Sequence, residues 1–165
     1  MVNMIKQILQ ALEATPVATA VRENTWLFPT IESIHVLSLV LVVGSIMVVD
    51  LRLLNLASRQ RSVKELTDDV LPWTWTAFVS AGITGTLLFS SSAVRYSGIW
   101  QFEAKMCMLV LAAINMGIFH LGAFRSVAHW DQAPLRPPLA ARLAGGISLG
   151  IWVIVVALGR WIGFV

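Results

Sequence analysis

An all-α fold, a four-helix transmembrane bundle preceded by an N-terminal amphipathic interfacial helix, is the class this 165-residue sequence predicts. Two observations carry it. The chain is 57% hydrophobic and 13% charged, with a mean hydropathy of +0.76, whereas a soluble domain carries about 25% charged residues. Four apolar segments, at about 26–55, 72–94, 102–124 and 139–161, use up nearly all the chain. Each meets the roughly 20 residues a helix needs to cross the hydrocarbon. The loops between them are short, so residues 1–165 read as a single integral-membrane domain.

In the region 1–23, Met1, Met4, Ile5, Ile8, Leu9 and Leu12 recur at helical spacing, with Asn3, Lys6, Gln7, Gln10 and Glu13 on the other face. That pattern predicts a helix lying in the membrane interface. It lacks the continuous apolar stretch and small-residue cleavage site of a signal peptide. Pro16 interrupts it, and a second short helix is expected over Val17 to Glu23. Span one opens on Trp26, an interfacial aromatic, with Pro29 in its first turns, where a missing N–H is tolerated. Residues 56–70 read as a polar loop. Span two starts at Pro72 and holds Trp73, Trp75, Gly82 and Gly85; span three holds Lys105, Asn115 and His120. The prolines at 134, 137 and 138 keep the next loop from being helical throughout. Span four carries Gly145, Gly146 and Gly150 near its start and Arg160 near its end.

Basic residues set the expected orientation. Arg52, Arg59, Arg61, Lys64, Arg125, Arg136 and Arg142 fall on the side of the loops after spans one and three, against Lys6, Arg22, Arg95, Lys105 and Arg160 on the other. The excess puts both termini outside, in the periplasm if the membrane is a bacterial inner membrane. These residues sit at span ends rather than in one patch, so the net charge of +3 gives no nucleic-acid footprint. The single Cys107 excludes an intrachain disulfide and a Cys-pair metal site within one chain.

Ionisable residues inside spans are expensive and mark a site or a buried pairing. Glu32, His35 and Asp50 lie in span one, and His35, Ser38, Ser45 and Arg52 form a polar arc down it. At ~1.5 Å per residue, His35 lies roughly 13–14 Å from the outer face and His120 about 27 Å from it. Separated by on the order of 13 Å along the membrane normal, they do not share one haem. Three histidines in total are also too few for a di-haem cytochrome. Small residues, Gly82, Gly85, Ala112 and Ala113, are expected at the height of His35 and leave room for a flat cofactor. Lys105, Arg95 and Arg160 lie above that level, within reach of propionates.

The plainer readings stand beside this one. A lone span histidine is slightly more often a structural hydrogen-bonding residue than a ligand. Asp50 pairs with Arg52 and the loop arginines, or joins His120 and Asn115 in an inner polar cluster. Most of the seven tryptophans form interfacial belts. Met47, Met106, Met108 and Met116 are core filler before they are copper ligands, and His129 is exposed.

The run WLFPTIESIHVLSLVLVVGSIMVVDLRLL, the PWTW with a later TG pair, the FEAK…N…FH of span three and the closing GRWIG resemble an uncharacterised bacterial family of four-span membrane proteins of unknown function. More distantly, the span-one His, Gly44, the Arg at the span's inner end and the Trp…Lys heading span three resemble the copper-resistance protein D and HemJ-type protoporphyrinogen oxidase group. That resemblance implies haem-related roles for His35 and Lys105. The expectation is a haem-b-binding membrane electron-transfer protein or subunit. His35 is the axial ligand, Lys105 a second ligand or propionate partner, Arg95 and Arg160 outer anchors, and Glu32 a tuning group. A quinone or periplasmic protein is the redox partner, within the bilayer and within a homo-oligomer or larger complex. The alternatives are a cofactor-free proton- or ion-translocating or accessory subunit, and copper handling.

Overall fold

The computed structural model describes residues 2–131 and 136–164. Met1, the part of the proline loop at 132–135 and Val165 lie outside them. The described chain is helical throughout its elements, with no strand: α1 (Val2–Glu13), α2 (Pro16–Glu23), α3 (Leu27–Leu53), α4 (Val63–Ser91), α5 (Ala93–Ser97), α6 (Trp100–Leu121), a 3₁₀ turn (Ala123–Ser126), α7 (Val127–Trp130) and α8 (Leu139–Ile162). Three stretches, Leu27–Leu53, Trp100–Trp130 and Leu139–Ile162, are long and apolar enough to cross a membrane. Their outward side chains, among them Leu37, Val40, Val110, Ile118 and Val153, are exposed, as lipid-facing residues are.

The N-terminal pair forms where the sequence predicts. Thr15 caps α2 by accepting from the Ala18 amide, and Pro16 occupies the first turn, where it has no bond to lose. The pair is tied to the end of the long helices where α4 stops and α6 starts, the outer end in the orientation expected from the basic residues. Glu13 accepts from the Val94 amide at 2.9 Å, and Arg22 donates to the Ser91 carbonyl. Met4, Ile5 and Ile8 remain more than half exposed, an apolar stripe suited to the bilayer interface.

The polar loop expected at 56–70 is shorter in the structure. Residues 63–70 are the first two turns of α4, which then runs through Pro72 rather than starting there. Ser62 caps this helix by accepting from the Glu65 amide at 3.0 Å, the S-x-x-E pattern of a capping box. Lys64–Asp68 and Arg61–Glu65 add ion pairs one turn apart. The strongest reason lies elsewhere in the chain. Asp131 accepts from the Val63 and Lys64 amides at 2.6 and 2.7 Å, so its carboxylate sits on the positive end of α4. Arg52, 1% exposed, lies 3.9 Å from Asp131 and donates to the Arg61 carbonyl at 2.7 Å. Asp50 therefore does not share a charge cluster with Arg52; the two carboxylates and the guanidinium divide between two places.

Helix α3 packs on α4 through three polar pairs set along its length. They are His35–Thr84 at 3.0 Å, Ser38–Ser80 at 2.8 Å and Ser45–Thr74 at 2.7 Å. The predicted arc of His35, Ser38 and Ser45 is thus the α4-facing side of α3. Helix α3 also packs on α8, where Gly145 lies so close that a Cβ would stand 3.0 Å from Leu53 and 3.2 Å from the Asp50 carbonyl. Helix α6 packs on α8, and Asn115 donates to the Ala144 carbonyl at 3.0 Å. Val42, Ala77, Ile151, Trp152 and Val155 make the central core. The four long helices thus stand in the order α4–α3–α8–α6. The arc does not close: among the described residues no Cα of α4 comes within 8 Å of one in α6. At the outer end the rings of Phe89 and Phe102, stacked at 5.1 Å beside Tyr96, bridge that gap.

Candidate functional site

Two polar places result, one toward each end of the long helices. In the outer half, His35 is partly buried between α3 and α4. The Thr84 hydroxyl donates its one hydrogen to the Ser80 carbonyl at 2.7 Å, so at 3.0 Å it accepts from His35 Nδ1–H. That bond fixes the tautomer and leaves a lone pair on Nε2. The Cε1 side of the ring rests against Gly85, where a Cβ would stand 2.9 Å from Cε1. Lys105, half-buried on α6, is the charged group that acts on His35. Its Nζ rests against Gly159 of α8. The backbones of α3 and α6 stay more than 8 Å apart, with the His35 ring on α4 and the Lys105 ammonium on α8.

The other residues expected here sit on the rim. Glu32 is exposed, and its charge reaches the Tyr96 phenol. Arg95 is exposed on α5, next to Tyr96. Arg160 is exposed, its guanidinium 4.4 Å over the Phe164 ring. Gly82 differs from expectation: it is exposed, with nothing within 4 Å of where its Cβ would be. Ala112 and Ala113 belong to the inner half. Of the small residues expected beside His35, Gly85 is the one that touches it.

Tyr96, the only tyrosine, is held above its ordinary value by burial, with the Arg95 charge working against the shift. A phenol raised on folding favours the fold below its ordinary value and loses that contribution as pH climbs through the raised one. Absorbance titration at 295 nm should therefore give one transition above pH 10. Arg95→Gln should move it higher; a transition at or below the free phenol value would contradict the burial.

In the inner half, the gap between α4 and α6 opens into a cavity of about 350 Å³. Asp50 and Ser45 from α3, Thr67 and Thr74 from α4, Asn115 and His120 from α6, and Ser148 from α8 all line it, among apolar walls that include Leu71, Phe78, Leu109 and Met116. The expected grouping of His120, Asn115 and Asp50 is thus gathered around one cavity. Asp50 and Thr67 are 4% and 8% exposed, and Asp50 Oδ2 and Thr67 Oγ1 have no hydrogen-bond partner. Ser148 is beside the Asp50 carboxylate. His120 donates Nδ1–H to the Met116 carbonyl at 2.9 Å, which again leaves Nε2 with a lone pair. His35 and His120 occupy opposite halves, as their spacing along the spans requires.

Nothing in the sequence alone marks Thr84, Thr67, Ser148 or Asp131. The first three are small hydroxyl residues of a kind that recurs along the spans. Only the helix facing them gives one of them a role.

A family model described as a family of unknown function (DUF6644) matches residues 25–165, so the chain belongs to that family. No curated protein and no solved structure matches the chain.

Proposed function

We propose that this DUF6644 member is a four-helix protein of a bacterial inner membrane, both termini periplasmic, that binds one haem b at His35 and carries electrons. The observation that carries the reading is the imidazole anchored through Nδ1 on the Thr84 hydroxyl, with the Nε2 lone pair left over. A metal-bound histidine usually donates its second ring N–H to a fixed acceptor, and Thr84 is such an acceptor. The donor set therefore fits an axial ligand. His35 would hold the iron through Nε2, Lys105 would be the second ligand or a propionate partner, and Arg95 and Arg160 would meet propionates at the rim. A bound haem b supplies one-electron exchange at its iron, at a potential set by ligands, burial and hydrogen bonding. For their part, Thr84 and Gly85 orient the imidazole, and Glu32 sets the charge at the outer mouth. Electrons would pass between a periplasmic partner and a carrier in the bilayer or another subunit. The likeness of His35 and Lys105 to the HemJ-type pair supports the same assignment.

The test is an absorption spectrum of the detergent-purified protein, oxidised and dithionite-reduced. A Soret band with reduced α and β bands is expected in the wild type, absent in His35→Ala and weakened in Thr84→Val. A colourless, well-folded wild type from haem-replete cells would overturn the reading. The second reading, a cofactor-free proton path, is favoured by one observation: Asp50 and His120 line the same cavity. It predicts proton flux in liposomes that Asp50→Asn abolishes.

A further inference from the structure

We infer that the cleft between α4 and α6 is a binding site for a quinol, a bilayer-dissolved molecule whose ring carries two hydroxyl groups. The cleft lies between helices whose backbones never approach closely, and exposed apolar residues such as Phe78 border it. A ligand can therefore enter sideways from the hydrocarbon without crossing water. Its walls are apolar and its volume, about 350 Å³, suits a substituted ring with the start of a tail.

The floor defines the head. Asp50 Oδ2 and Thr67 Oγ1 are buried oxygens without partners, and such groups are costly to leave unmet. The lone pair of His120 Nε2 adds a further acceptor among the lining residues. No Lys or Arg lines the cleft, so nothing there would hold a phosphate or a carboxylate. Asp50 Oδ2 and His120 Nε2 accept and the Thr67 hydroxyl can accept or donate, so the site suits a ligand with hydroxyl groups, and a quinol brings two on a ring that is otherwise apolar. The choice of a quinol over other hydroxylated amphiphiles rests on the electron-transfer reading; the site itself rests on the cleft and its unmet oxygens.

The test is equilibrium binding to the full chain in phosphatidylcholine nanodiscs, under anaerobic conditions. The probes are decyl-benzoquinol, the matching quinone and dodecylamine. Saturable quinol binding is expected, tighter than that of the quinone. Asp50→Leu should weaken it at least tenfold. Thr67→Val, close in shape, should weaken it severalfold, and Ala113→Trp should block it by filling the cleft. His35→Ala should leave it unchanged, so a failed haem assignment would show separately. Quinol uptake that does not saturate, or that ignores all three cleft variants, would overturn the proposal. So would dodecylamine binding at the cleft in place of the quinol.

Discussion

Asp131→Ala is expected to cost about 3–5 kcal/mol, the scale for stranding one partner of a buried charge cluster. Two losses coincide. The first-turn amides of Val63 and Lys64 lose both carboxylate oxygens, and a helix cap alone contributes about 0.5–2 kcal/mol. Arg52, almost wholly enclosed and with Nη1 already unpartnered, is left without a counter-charge. Helix α4 should then fray back toward Pro72, where the ladder of backbone bonds is already interrupted. Circular dichroism through a thermal or denaturant titration in detergent would show lost helix and a lower midpoint. Asp131→Asn keeps one acceptor for the amides and should lie between the wild type and alanine. Adding Arg52→Met to Asp131→Ala should restore part of the loss, because the unpaired charge is removed. If the double variant is worse than Asp131→Ala by the full cost of Arg52→Met, the two residues are not coupled and the cluster is only a pair of neighbours.

That cluster also marks the boundary of what the sequence makes readable. Hydropathy alone places α3, α6 and α8 within a residue or three of their observed ends, because a span is specified by its own composition. Helix α4 is different. Its first two turns are charged and look like loop, and the residue that fixes them, Asp131, is 67 and 68 positions away from the amides it holds. The S-x-x-E at Ser62 to Glu65 is a local sign of the true start, and Pro72 is a stronger sign of a false one. The same limit applies to the sites. The in-span ionisable residues declare themselves by their cost in lipid, and His35 and Asp50 do prove to be partly or wholly enclosed. Which end each serves follows from rise per residue. Which neighbour each meets does not, since Ala112 and Gly82 turn away from His35 by a rotation about the helix axis that composition does not encode. The openness of the arc between α4 and α6 is likewise a property of helix order, visible only once α3 and α8 are seen to lie between them.

Gly85 and Gly82, one turn apart on α4, should respond to alanine in opposite directions. Each substitution gains up to about 1 kcal/mol of intrinsic helix propensity. At Gly82 nothing opposes the gain, because the new methyl meets no atom within 4 Å, so Gly82→Ala should be neutral or mildly stabilising. At Gly85 the methyl would stand 2.9 Å from His35 Cε1, and the imidazole must move. Moving it breaks the Nδ1–H bond to Thr84, one of the three links between α3 and α4; interhelical bonds in membranes contribute about 0.6–2 kcal/mol each. Overpacking adds about 1–3 kcal/mol, so Gly85→Ala should be net destabilising and Gly85→Val more so. The imidazole should report the same event directly. In the wild type its ¹⁵N shifts should show one protonated and one bare nitrogen with Nδ1 as the donor, and in Gly85→Val that fixed tautomer should be lost. The haem assignment then makes a sharper demand. Gly82→Ala must keep the Soret band that Gly85→Val loses, although both variants keep His35 itself. Equal midpoints for the two alanine variants, with an unchanged imidazole signal in Gly85→Val, would mean that the ring does not rest on Gly85 and that the outer site is not built as described.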